Sequence, residues 1–259
     1  MKPSKQIKIS SQIIREVMEM GLRPIANSIV DSILKTETIK KTKKTGVAQY
    51  KRDLQSAIAV IASDSLDYAR KKMPNGSKVK FMEDEHTLLL GEFEKLPLKV
   101  QKKIRNQVDL IVITQVADLE KAAAFQHSAS ISSSKSMVEA RFDMIEKTDK
   151  YIDGNAIAAG SHTTAATTVN NVRNAFHATP AAMEQIVAFK FVNDNPKTPI
   201  CIDLNGTIYS KDDPDHFKYT APLHFNCDSY NIPIYKLKKG EEIKKIKPST
   251  AKLEATIQF

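Results

Sequence analysis

Tryptophan is absent from the 259 residues, aromatic residues make up only 7%, and there are just two cysteines. So few rings leave the packing to aliphatic side chains, and a hydrophobic share of 41% in a chain this long suffices for a core or for two modest ones. Two cysteines, Cys201 and Cys227, exclude a disulfide framework and leave unbridged thiols, one bridge, or two ligands of a metal. No apolar run approaches the ~20 residues that span a bilayer, so no membrane partner is expected. The N-terminus, MKPSKQIKISSQIIREVMEMG, has neither a continuous apolar stretch nor a small-residue cleavage site. The expectation is a protein made in a cytoplasm.

Charge is present in excess and unevenly. The net charge is +9, and residues 1–52 carry twelve Lys and Arg against four Asp and Glu, which places +8 of it there. Lys40, Lys41, Lys43 and Lys44 concentrate it in KTETIKKTKKTG (35–46), read as a mobile basic connector. Such an excess attracts nucleic acid or another acidic surface at Debye range, and its plainer reading is a solvated arm.

Apolar periodicity makes the first two-thirds helical. Ile14, Val17, Met18 and Leu22 share a face, and the pattern resumes after Pro24 through Ile25, Ile29, Ile33 and Leu34, so a kink or break is expected at Pro24. Leu54, Ile58, Ile61, Ala62, Leu66 and Ala69 mark a second helix that stops at Met73-Pro74-Asn75-Gly76. Pro97 opens a longer one with Val100, Ile104, Val108, Val112, Val116, Leu119 and Ala123 on its inner face. The small, polar, aperiodic stretch Ser128–Ser136 reads as an interdomain linker. Beyond it, Val138, Phe142 and Ile145 mark a short helix, and Ala165, Val169, Val172 and Phe176 another, with His177 near its end. Ile186–Val192 has strand composition, Asn205-Gly206 forms a tight turn into a second strand, and Ile232-Pro233-Ile234-Tyr235 is a third that its proline assigns to an edge. The expected architecture is α+β: a helical region with a basic arm (1–127), the linker (128–136), a small domain of helices and a short antiparallel sheet (137–235), and a basic tail (236–259).

The stretch from Asp194 to Tyr235 carries the chemistry. Cys201 precedes the Gly206 turn by five residues, and Pro222-Leu223-His224-x-x-Cys227 follows about twenty residues later. Two soft thiolates and an imidazole, brought together from two hairpin-like segments, suit zinc, which requires a fourth donor. His216, Asp203, Asp213 or water are candidates for it. The alternative is two buried structural thiols and a core histidine, and both readings stand open.

This stretch resembles the C-terminal motif of the phage Mu F-like minor head proteins. Their pattern runs Asp-x-x-x-Cys-x-x-Cys-x-x-Leu-(Asp/Asn)-Gly-x-(Val/Ile)-(Phe/Tyr), then Pro-Pro-x-His-x-Asn-Cys. Asp194, Cys201, Leu204, Asn205, Gly206, Ile208 and Tyr209 match the first half. Pro222, His224, Asn226, Cys227, Ser229, Tyr230 and Pro233 match the second, and Asn170, Asn171 and Arg173 are similar to the helix before the strand. Thr198 stands where the first cysteine would be, Asp228 where an arginine would be, and Ser161-His162-Thr163-Thr164 where the family usually has Arg-Thr-Glu. The resemblance covers about residues 137–235. It implies a non-enzymatic minor structural protein of a tailed-phage head, assembled in the host cytoplasm and carried in the virion. Such a protein would contact portal and inner capsid proteins, with the basic arm near packaged DNA and a role in head morphogenesis and DNA packaging or delivery.

Two other classes compete. A metal-dependent nuclease or other hydrolase would use the Cys/His cluster, but Pro222 and Pro233 make a helix around His224 awkward, and no oxyanion-hole motif accompanies a Cys201–His224 dyad. A sequence-independent nucleic-acid-binding protein would use the basic arm (1–52) and the cluster Lys99–Arg105, without any recognition signature beside them.

Overall fold

The computed structural model describes residues 3–36, 44–74, 96, 98–223 and 227–245. It is 70% helical with one small antiparallel sheet, the α+β class that the sequence implies. In chain order the elements are α1 (Pro3–Thr36), α2 (Val47–Lys72), α3 (Leu98–Ser132), α4 (Met137–Ile152), α5 (Asn155–His177), α6 (Pro180–Met183), β1 (Ala188–Val192), α7 (Pro199–Leu204), β2 (Ile208–Ser210), a 3-10 turn (His216–Tyr219) and β3 (Tyr230–Ile234). Contacts divide the chain into two compact units. One holds Ser11–Ile58 and Lys102–His162, the other Met1–Ser10, Ala59–Gln101 and Thr163–Phe259. This grouping does not follow the expected division at 128–136, because α1, α2, α3 and α5 each supply residues to both units.

The first unit is helical, and its core is the expected stripe of α1, with Ile14, Met18, Leu22, Ile25, Ile29 and Ile33 almost fully buried. The break expected at Pro24 does not occur, and α1 runs through it. Leu22 and Ile25, on either side, are wholly buried, and burying apolar side chains on both flanks offsets the roughly 3 kcal/mol that an interior proline costs. Pro24 and Met20, the residue whose carbonyl loses its donor, are both exposed, which puts the missing bond on the solvent side.

Gly21 of α1 lies against the buried ring of Tyr50. A Cβ there would come within 2.8 Å of Tyr50 Cγ and nearer still to Cδ2. The ring has little freedom to retreat, since its hydroxyl donates to Gln115 Oε1 and Gln115 Nε2 in turn lies 3.4 Å from Met18 Sδ. Gly21→Ala is therefore expected to destabilise the protein by about 2 kcal/mol, although alanine is the better helix former by about 1 kcal/mol. Thermal unfolding followed by circular dichroism reads the outcome, and an unchanged or higher Tm would show that Tyr50 has room to shift.

The stretch expected to be a linker is instead the end of one helix and the start of the next. Ser132 and Ser133 turn their hydroxyls back onto the carbonyls of Ser128 and Ala129, which lets a serine run persist in α3. Ser134 then adopts φ 54, with Lys135 N–H bonding Ser130 O at 3.1 Å and Ser134 N–H bonding Ile131 O at 2.9 Å, the paired bonds of a Schellman cap. Ser136 starts α4 at once through a capping box with Glu139. The predicted face of α4 also differs. Val138 and Phe142 are 65% and 67% exposed, while Ala140, Met144, Thr148 and Ile152 are buried. Asp143 is held by Ser130 at 2.8 Å and Lys135 at 2.6 Å, and Ala140, nearly one turn earlier, is buried.

The second unit carries the sheet, in the order β2-β1-β3 and antiparallel throughout. The central strand β1 buries Ala188, Phe189 and Phe191. Pro233 lies opposite Phe189 on edge strand β3, where a missing N–H costs no ladder bond, as expected. Asn205 (φ −59, ψ 127) and Gly206 (φ +79) have the torsions of a type II turn, the tight turn read from the sequence. On the far side of β2, Lys244 N–H donates to Ile208 O at 2.7 Å, so part of the segment expected to be a tail returns to the sheet edge.

Candidate functional site

Helix α5 sets the site, because its inner face carries polar side chains among apolar ones. Asn170 Nδ2 donates to Ser229 O at 2.9 Å, and Asn174 Nδ2, one turn on, donates to Ala221 O at 2.8 Å. These bonds anchor the chain approaching β3 to the helix. From the end of β1, Asn193 Nδ2 donates to Ser229 Oγ at 2.8 Å, while its N–H is accepted by Asn205 Oδ1 at 2.9 Å. Ser229 Oγ in turn donates to Cys201 Sγ at 3.2 Å, and Cys201 Sγ lies 3.9 Å from Cys227 Sγ. Both sulfurs are buried, at 0% and 1% exposure.

The two thiols are not equivalent. A hydrogen bond with Cys227, opposed by burial and helped by Ser229, Thr198 and Asn193, pulls the Cys201 thiol down to about 6. The same hydrogen bond, and burial, push the Cys227 thiol up. The bond between the sulfurs thus moves the two thiols in opposite directions, and the pair titrates as a unit.

Two thiolates on one tetrahedral zinc, at about 2.3 Å from the metal, would stand roughly 3.8 Å apart, so the cysteines suit two corners of such a site. The other corners are not supplied among the described residues, where no group of three or more His, Cys, Asp or Glu gathers around a metal-sized space. His224 lies outside the described residues. His216 is on the 3-10 turn with Nδ1 at 3.0 Å from Asp213 O, and it forms no such group with the cysteines. Asp203 is exposed on α7, and Asp213 accepts the Asp215 N–H at 2.9 Å. Cys201 is also not on a hairpin as expected but on the short helix α7, which Thr198 and Pro199 open. Thr198, where the resemblance would have a cysteine, hydrogen-bonds Cys201 instead.

Of the basic residues singled out, Lys40, Lys41 and Lys43 lie outside the described residues. Lys44 pairs with Glu120 at 2.8 Å, which already engages its charge. Sequence reasoning did not single out Asn193 and Asn174. Asparagines four apart on one helix, at 170 and 174, were the available signal for the second of them.

A second polar cluster is built on the same helix. Arg173, 5% exposed, donates from Nη2 to Gln6 Oε1 and stacks its guanidinium 4.5 Å from the centre of the Tyr68 ring. Burial brings it down to about 10. His177, one turn further, lies between the Phe176 and Phe189 rings, at centroid distances of 5.7 and 6.3 Å. No family model, curated protein or solved structure matches the chain.

Proposed function

We propose that this chain is a non-enzymatic minor structural protein of a tailed-phage head, working at the portal vertex or inner capsid in head morphogenesis. One observation carries the reading: positions that match the Mu F-like pattern, scattered over some sixty residues, meet in one hydrogen-bonded network that is buried at the two sulfurs and exposed at Asn205. Asn170, Cys201, Asn205, Cys227 and Ser229 are joined directly or through Asn193. A motif whose matched residues bond one another acts as a structural clasp, and that is the behaviour expected of an assembly module. The site offers no nucleophile set against a general base and an oxyanion cradle among the described residues, which favours a scaffold over a hydrolase.

The test is co-expression of the full chain with the portal protein and with the capsid protein of the same phage. The expected result is co-migration with portal rings on a density gradient and presence in assembled heads at low copy number. A chain that stays at the top of the gradient beside well-formed portals and shells would overturn the proposal. Salt-sensitive DNA retention with no portal association would instead favour the nucleic-acid reading.

A further inference from the structure

We infer that Cys201 and Cys227 form a modification site: an oxidisable dithiol that a small two-electron oxidant converts into an intramolecular disulfide. The inference is independent of the assembly reading, since neither portal, capsid nor DNA enters it. It rests on placement. The sulfurs are 3.9 Å apart, both are buried, and both belong to the same compact unit. A disulfide needs them at about 2.05 Å, so each sulfur moves by roughly 1 Å, within reach of a side-chain torsion. Nothing has to be expelled first, because the contact between them is direct. Ser229 Oγ, 3.2 Å from Cys201 Sγ and held from behind by Asn193, steadies the attacking sulfur.

With hydrogen peroxide as oxidant the chemistry balances in two steps. Cys201 sulfur attacks one peroxide oxygen, forming an S–O bond and breaking O–O, and the departing hydroxide takes up a proton to leave as water. Cys227 sulfur then attacks the sulfenic sulfur of Cys201, forming S–S and breaking S–O, with loss of the second water. Two thiols and one peroxide become one disulfide and two waters. Burial sets the selectivity, because peroxide, close to water in size, enters on local opening while bulkier oxidants enter poorly. The bond would tie α7 to the segment entering β3 and enclose β2 and the 3-10 turn in one covalent loop.

The test uses the full-length protein, reduced, freed of reductant under nitrogen and treated with a slight excess of hydrogen peroxide. Thiol titration, intact mass and peptide mapping are read together with Tm. The expected result is loss of both titratable thiols, a mass lower by two hydrogens, a single Cys201–Cys227 cross-linked peptide, and a higher Tm that dithiothreitol reverses. Cys227→Ala should leave a Cys201 sulfenic acid that dimedone captures. If that variant does not fold, the wild-type measurements decide alone. Either of two results overturns the inference: thiols that survive peroxide in the folded protein, or direct passage of either sulfur to sulfinic acid.

Discussion

Asn231→Leu is expected to cost about 3–5 kcal/mol of folding stability, a large part of what a domain of this size has. Asn231 is 8% exposed, and its amide serves three partners at once. Oδ1 accepts the Ala221 N–H at 2.7 Å, while Nδ2 donates to Tyr219 O at 3.3 Å and to the Tyr209 hydroxyl. Leucine keeps roughly the volume and removes every bond, leaving buried groups that each cost about 1–3 kcal/mol when unsatisfied. The chain on either side loosens as well, since Tyr219 and Ala221 flank the turn before Pro222. Urea unfolding should show a lower midpoint with an unchanged slope, and trypsin should cut faster at Lys218. Tyr209→Phe, which removes the bonds of that hydroxyl to Asn231 and Thr220, should cost about 1–2 kcal/mol, and the double variant should be less than additive. A loss below about 1 kcal/mol for Asn231→Leu would mean that water replaces the amide, contrary to its burial.

The second large effect is a dependence on pH that one buried histidine creates. Burial, and secondly the Arg173 cation one turn away, bring His177 down to about 4 from an ordinary 6.5. Above pH 6.5 the ring is neutral in both the folded and unfolded chain, and stability is at its full value. As the pH falls from 6.5 toward 4, the unfolded chain binds a proton that the native state refuses, so stability drops. Below about 4 both states carry the proton and this contribution stops changing. The full loss is about 3 kcal/mol. His177→Phe extends the aromatic row of Phe176 and Phe189 and removes a buried Nδ1 that has no hydrogen-bond partner among the described residues. The variant should therefore match or exceed the wild type at pH 7 and surpass it by about 3 kcal/mol near pH 4. Titrating carboxylates lower both proteins alike, so the difference between the two Tm curves isolates the histidine. Parallel curves over that window would show that the native state takes up the proton after all.

Features governed by local chemistry were the ones legible in the sequence. The α1 stripe is a spacing of threes and fours. Asn205-Gly206 needs only one positive φ, and Pro233 lacks a donor wherever it stands. Cys201 and Cys227, the two thiols that the sequence offers, stand 3.9 Å apart. Features decided by distant partners were not. Pro24 looks like a break until the burial of Leu22 and Ile25 is known. The stretch Ser128–Ser136 looks like a linker because its hydroxyls can serve a turn or a helix equally, and which they serve shows only in the bonds of Ser132 and Ser133 to the preceding turn and of Ser130 to Asp143. Val138 and Phe142 formed as good a stripe as Ala140 and Met144, and periodicity alone does not choose between two faces. Asn193 and Thr198 act on residues that become neighbours only once β1 and α7 are in place.

The bond from Lys244 to Ile208 bears on where the molecule tolerates shortening. With that donor in place, one outward carbonyl of β2 is occupied by the chain's own backbone. A polypeptide cut just after β3 would present this strand as a bare template onto which the same strand of another molecule could add. Trimming the lysine-rich stretch, which looks expendable on paper, would then open a route to strand-by-strand self-association.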